Sequence, residues 1–233
     1  SRTVPPAPSR HATAMNAPQT FPPTPPDILP TMETESHPLE PFLPSNGRTL
    51  FLGSFPPPRA RWSMDFFYPN WINDFWRIMG LLFHNDRHHF ECGPDAPKTF
   101  DRERITAFCR TEGLAFFDTA RRVRRLKANA SDNFLEIVEP TDVGSLLARM
   151  PDCTRIVTTG GKASETLQRT LSDAAGLEVE QPEIGGFTTL VAYGRTLQWW
   201  RMPSTSRAYP LKLEKKAEYY ARLFPQSPYG LLS

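Results

Sequence analysis

The sequence predicts an α/β protein with a central, mostly parallel sheet covered by helices on both faces, a three-layer α/β/α sandwich. Three observations carry this reading. Short apolar runs end in glycine or an acid, as buried strands do. Segments of helical periodicity alternate with them. Twelve of the 25 prolines fall within residues 1–45, so that stretch cannot build helix or central sheet, and the α/β pattern runs from Arg48 on.

The elements follow in order. Residues 1–44 read as a flexible, polyproline-like arm, and residues 45–233 as the α/β domain. A mitochondrial transit peptide is an alternative for the arm, because no acid precedes Asp27. Thr49 to Gly53 reads as a buried strand. Asn73 to Phe83 has helical spacing, with Phe75, Trp76, Met79, Leu82 and Phe83 on a wide apolar face. Asp101 to Arg110 reads as a helix capped by Asp101. Leu114 to Asp118 is a second strand with a carboxylate at its end. Thr141 to Met150 reads as a helix capped by Thr141. Arg155 to Thr159 is a third strand, ended by Gly160-Gly161, and Lys162 to Ala174 is the helix after it. Phe187 to Met202 reads as a hairpin turning at Tyr193-Gly194, and Leu213 to Phe224 as the last helix.

Composition narrows the function classes. The 233 residues are 39% hydrophobic and 12% aromatic, enough for a core. No run approaches the roughly 18 apolar residues of a membrane helix, and the N-terminus lacks a signal-peptide layout. Cys92, Cys109 and Cys153 are odd in number, far apart and without a C-x-x-C, which fits a reducing cytoplasmic or nucleoid setting. The net charge is +2. Residues 1–45 hold four acids and two basic side chains, so the remainder carries a modest basic excess, compatible with nucleic acid.

In a parallel sheet the ligand sits beyond the carboxyl ends of the strands. Three polar loops begin there. The first, Gly53-Ser54-Phe55-Pro56-Pro57-Pro58, joins a glycine that permits close approach to a rigid proline turn. Asp65-Phe66-Phe67-Tyr68-Pro69 and Asn73-Asp74-Phe75-Trp76 follow; these aromatics are either core or a platform for a planar ligand. The second loop, Thr159-Gly160-Gly161-Lys162-Ala163-Ser164, fails the phosphate-loop rule because alanine follows Lys162, which disfavours a nucleotide triphosphatase. The third, Met202 to Tyr209, gathers three hydroxyls, Arg207 and an aromatic, groups that contact phosphates and wedge into base stacks. Arg121 to Lys127 is a basic run, either a solvated helix face or a phosphate-contacting patch. His84, His88, His89 and Cys92 form a metal-like cluster that more often means solvated histidines.

These loops together resemble the uracil-DNA glycosylase superfamily over most of residues 34–224. Leu50-Phe51-Leu52-Gly53-Ser54-Phe55-Pro56 resembles its glycine-led first motif. Tyr68-Pro69 with Asn73-Asp74-Phe75-Trp76 resembles an element of the mismatch-specific uracil and deoxyinosine (hypoxanthine) branch, as does Gly161-Lys162-Ala163. Met202-Pro203-Ser204 resembles the proline–serine core of the second motif. Two positions depart from the pattern. Phe55 stands where efficient uracil enzymes carry Asp or Asn, and Met202 stands where they carry His; both changes resemble the deoxyinosine branch.

The resemblance implies a monofunctional glycosylase that hydrolyses the N-glycosidic bond of a flipped hypoxanthine or uracil in double-stranded DNA, acting as a monomer without metal or cofactor. It implies Asn73 as the water-placing group, with Asp65 second. Phe66, or Phe67 beside it, would stack on the base. Gly53, Ser54, Phe55 and Gly160 would bind the base. Lys162, Ser204, Ser206, Arg207, Tyr209, Arg124 and Arg125 would contact DNA. The competing readings are a non-catalytic nucleic-acid-binding relative and a metal-dependent hydrolase using His84, His88 and Cys92.

Overall fold

Three short strands buried on both faces line up in parallel with a fourth, more mixed one and set the frame of the molecule. The computed structural model describes residue 3, residues 33–126 and residues 134–228. Contacts divide the chain into Ser1–Thr31 and Met32–Ser233, and only the second unit is described below. The arm as far as residue 32 (Thr3 aside) and Lys127 lie outside the described residues.

The five-stranded sheet has the order β3-β2-β6-β8-β7. Its strand β2 (Thr49–Gly53), second in that order, is buried at every residue because sheet neighbours and helices cover it on all sides. Parallel neighbours β3 (Leu114–Asp118) and β6 (Arg155–Thr159) flank it, and β8 (Arg195–Met202) runs parallel to β6. β7 (Phe187–Ala192) closes the far edge as the antiparallel arm of a hairpin with β8, turning at Tyr193-Gly194. The α/β reading therefore holds, with helices flanking a mostly parallel sheet.

Helix α1 (Phe75–His84) presents Phe75, Trp76, Ile78, Met79 and Leu82 to the core and stops at Asn85, whose φ of 50° ends the helical run. Helix α2 (Arg102–Glu112) is capped by Asp101, which accepts from the Arg104 amide at 3.1 Å. Helices α4 (Gly161–Ala175) and α5 (Leu213–Ala221) complete the cover, and α5 packs on α1. Phe51, Phe116 and Phe75 meet in the middle, with Phe51 stacked on Phe116 at 5.4 Å. Burial pushes the Cys109 thiol far up and the Cys153 thiol up to about 11, so neither is a nucleophile near neutrality.

Three expectations change. Residues 33–44, expected to belong to the arm, pack on the domain. Phe42 bridges Phe116 through paired backbone bonds of 3.0 and 2.9 Å, and β1 (Glu35–Ser36) pairs antiparallel with β4 (Ala120–Arg125). The basic run is thus a strand and not a helix face. It bonds to β5 (Leu135–Pro140) in a second, three-stranded sheet, because Ala120 and Val123 point to a small core with Phe55 and Leu135. Helix α3 (Val143–Ala148) is capped by Asp142, not Thr141. Hydrogen bonds from the Ser145 hydroxyl and amide hold the Asp142 carboxyl below its usual range, while Thr141 is buried and donates to the Asp118 carbonyl.

Candidate functional site

The strand exits of β2, β3 and β6 and the loop after β8 open onto one cleft of about 560 Å³. That volume lies within the roughly 300–1,000 Å³ common for small-ligand pockets. Its floor is set by Gly53 and Asp118, which face each other across the β2–β3 pair. A β-carbon at position 53 would stand 2.7 Å from Asp118 Oδ1, so only glycine lets the carboxylate lie against the backbone. The same point is 3.6 Å from both Thr159 Oγ1 and Tyr68 Oη, and those two hydroxyls share a hydrogen bond of 2.7 Å. Tyr68 sits at a φ of 52°, held there by stacking on Phe75 at 4.1 Å with the rings 4° from parallel. Asp118 is the acid among the described lining residues. Its Oδ2 lies 2.6 Å from His37 Nε2.

One flank of the cleft is the loop from Ser204 to Pro210. Its position rests on a buried ion pair. Lys216 of α5 is fully buried, and its Nζ reaches Asp74 Oδ2 at 3.0 Å and the Ser206 carbonyl at 2.9 Å. The Asp74 amide donates to the Thr205 carbonyl, and Arg207 approaches Asp74 Oδ1 at 3.5 Å. Tyr220 Oη bonds the Pro203 carbonyl at 2.8 Å. Ser204, Ser206, Arg207 and Tyr209 all line the cleft, as do Gly53, Ser54, Phe55, Phe67 and Asn73.

The other expected site residues stand elsewhere. Phe66 is buried, edge-on to Phe42 and Phe67, and does not reach the cleft; its neighbour Phe67 does. Asp65 points to solvent and pairs with Arg59 at 2.6 Å, because its segment turns outward before Phe66. Gly160 is a spacer, with a φ of 97° that lets the β6 exit lie against Ser204 and its amide donate to the Met202 carbonyl; Thr159 lines the cleft where Gly160 was expected. Lys162 lies on the first turn of α4, away from the lining. Arg124 pairs with Glu136, and Arg125 pairs with Glu35 and donates to the Pro56 carbonyl at 2.6 Å, so Arg125 fixes the first loop from behind. Asn73 lines the cleft, but its Oδ1 accepts from the Phe75 amide at 2.9 Å and so begins α1.

His37, Asp118, Tyr68, Thr159 and Arg61 are site residues to which the sequence assigned no role, although Tyr68 and Thr159 stood within quoted motifs. Asp118 was visible as a carboxylate at a strand end, whereas His37 lies in a stretch that reads as proline-rich arm. The metal-like cluster does not converge. His84 stacks on His89 at 3.6 Å, His88 pairs with Glu91, and among the described residues no three such side chains could hold an ion. Burial, reinforced by the nearby His84, holds His89 below the usual imidazole range. Among the described residues no helix is long and apolar enough to cross a membrane.

No family model matches the chain, and no curated protein matches it significantly in sequence. Solved structures do match. A solution NMR structure of a candidate uracil DNA glycosylase from Methanosarcina acetivorans superposes with a TM-score of 0.51 at 19% identity, covering 78% of this chain and 92% of that one. The chain therefore has the fold of that Methanosarcina protein.

Proposed function

We propose that the cleft is the active site of a monofunctional DNA glycosylase, which flips a deaminated base, hypoxanthine or uracil, out of the duplex and hydrolyses its N-glycosidic bond. The observation that carries this reading is the convergence of four strand exits on a cleft with one carboxylate on its floor and a Ser-Ser-Arg-Tyr loop on its rim. The rim groups suit backbone phosphates and the gap left in the stack, with Arg207 as the wedge. The floor groups suit the edge of a planar base, and Phe67 offers a ring beside it. Likeness in fold to a candidate uracil DNA glycosylase supports the same reading.

Flipping costs a few kcal/mol and is easiest for a mispaired base, which supplies part of the selectivity. Bond cleavage then builds positive charge on the sugar and negative charge on the base. Donors fixed at the base oxygen lower that barrier, each by about 3 kcal/mol. The amides of Gly53–Phe55 and one hydroxyl of the bonded Tyr68–Thr159 pair, all on residues that line the cleft, would serve as such donors. Asn73, at the cleft wall, places the attacking water through its amide. Among the described residues no lysine lines the cleft, which suits hydrolysis and not an amine-linked intermediate.

The test uses labelled duplexes holding one uracil or one hypoxanthine, incubated with the protein and then treated with alkali to cut abasic sites. Strand breaks are expected. Intact strands with both bases, in duplex and single-stranded form, overturn the proposal. A non-catalytic nucleic-acid binder is the second reading, favoured by Phe55 on the cleft wall and by a fully buried Met202 in place of polar groups. It predicts binding that falls steeply with salt and leaves both bases in place.

A further inference from the structure

We infer that His37 is a positioning residue that holds Asp118 as a one-sided hydrogen-bond acceptor, and that this acceptor selects bases with a ring N–H beside a carbonyl. The inference rests on the glycosylase reading above and names what its floor discriminates.

The tautomer follows from the contacts. The Leu39 amide donates to His37 Nδ1 at 3.1 Å, so Nδ1 carries no proton and Nε2 does. Nε2–H therefore donates to Asp118 Oδ2 at 2.6 Å. The His37 side chain is only 2% exposed. It is packed against Phe117 at 4.4 Å, Phe55 at 5.2 Å and Phe67 at 6.0 Å, so the ring cannot turn away without disturbing three neighbours. Its backbone is fixed as well, by a hydrogen bond from its amide to the Arg121 carbonyl at 2.8 Å and by the β1–β4 pairing just before it. With Oδ2 occupied, Oδ1 is left beside Gly53 on the cleft floor.

A carboxylate oxygen in that position accepts and cannot donate. Deamination changes the base at the matching atoms. Adenine and cytosine carry a ring nitrogen lone pair beside an amino group; hypoxanthine and uracil carry a ring N–H beside a carbonyl. Asp118 would bond the N–H and repel the lone pair, while the donors nearby, Tyr68 or Thr159, would meet the carbonyl and repel nothing. A side-chain amide in place of Asp118 could rotate to suit either pattern. The carboxylate has no donor to turn in, and the histidine fixes where its accepting oxygen lies, because moving Asp118 would break the Nε2–H bond.

The test compares wild type with His37→Phe, which keeps an aromatic ring and removes the donor, and His37→Gln, whose amide nitrogen can reach where Nε2 stands. Two quantities are measured on the full chain: the single-turnover cleavage rate, and the binding preference for a duplex with one hypoxanthine over the same duplex with adenine. Wild type is expected to prefer hypoxanthine by about tenfold or more, a typical value for a hydrogen bond to a charged group. His37→Phe should lose most of that preference and slow cleavage at least about tenfold. His37→Gln should restore both to within about threefold of wild type. If the Gln and Phe variants are equally impaired, the ring acts by packing alone and the inference is overturned. The same follows if His37→Phe behaves as wild type, or if wild type shows no preference. A wild type that prefers hypoxanthine without cleaving it overturns the glycosylase reading and leaves the selection by Asp118 standing.

Discussion

The two flanks of the cleft are held by different kinds of buried polar contact. On one side the fully buried Lys216 ammonium grips Asp74 and the loop carbonyl of Ser206. On the other side a neutral imidazole donates to Asp118. The charged lock engages both oxygens of Asp74, Oδ2 with Lys216 at 3.0 Å and Oδ1 with Arg207 at 3.5 Å, and Asp74 does not line the cleft. The neutral one occupies a single oxygen and keeps the other at the floor. Loss of the first should appear mainly as lost stability, and loss of the second mainly as lost chemistry. A buried charge without its partner is costly, whereas a carboxylate beside a water-accessible cleft can be solvated.

The largest effect tests the charged lock. Lys216→Met leaves Asp74 buried with only Arg207 at 3.5 Å, and should destabilise the fold by about 3–5 kcal/mol in urea unfolding. Adding Asp74→Asn should recover a large part of the loss. A loss below about 1 kcal/mol would show that the pair behaves as an exposed one and does not anchor the loop. Next comes the spacer between the β6 exit and Ser204. At Gly160 a φ of 97° is open to glycine alone, so Gly160→Ala should cost about 1–3 kcal/mol in the same measurement. It should also displace Ser204, whose Cβ lies 3.4 Å from the point the new methyl would take.

Asn73 separates stability from chemistry within one residue. Asn73→Ala removes the oxygen that accepts from the Phe75 amide and should cost about 1 kcal/mol. It should also slow single-turnover cleavage at least about tenfold. Asn73→Asp keeps that oxygen and removes the amide donor. Its unfolding midpoint should match wild type while its rate falls as in the alanine variant. A rate equal to wild type in both variants removes Asn73 from the water-placing role.

What the sequence disclosed and what it hid follow from the range of the contacts. The parallel strands were legible because each is a local apolar run, buried on both faces and stopped by Gly53, Asp118 or Gly160. The Asp101 cap was legible because its partner is three residues away. The two locks were not, because Lys216 and Asp74 lie 142 positions apart and His37 and Asp118 lie 81 apart. The small sheet was missed for another reason. Its strand Ala120–Arg125 has four arginines and a register shift near Arg122, so the alternation that marks a strand is broken where it would have been read. Phe66 and Phe67 show the limit at single-residue scale. Both are aromatic and adjacent, and only the bends around Tyr68 decide which one faces the cleft.

The smallest effect concerns the basic strand beside the neutral lock. Arg122 pairs with Glu139 at 2.8 Å and Arg124 with Glu136 at 3.3 Å, and all four side chains are substantially exposed. Such pairs contribute about 0–1 kcal/mol, so Arg124→Ala should leave the unfolding midpoint nearly unchanged. Its effect on DNA binding decides what the strand does. If Arg124 exchanges Glu136 for a phosphate in the complex, the slope of log affinity against log salt should fall by about one for a duplex of any sequence. If Glu136 keeps it, the slope should not move, and the basic excess there serves only to tie β4 to β5. Glu136→Gln separates the two cases further. Freeing Arg124 from its acid should tighten binding when the arginine contacts phosphate, and should do nothing when it does not.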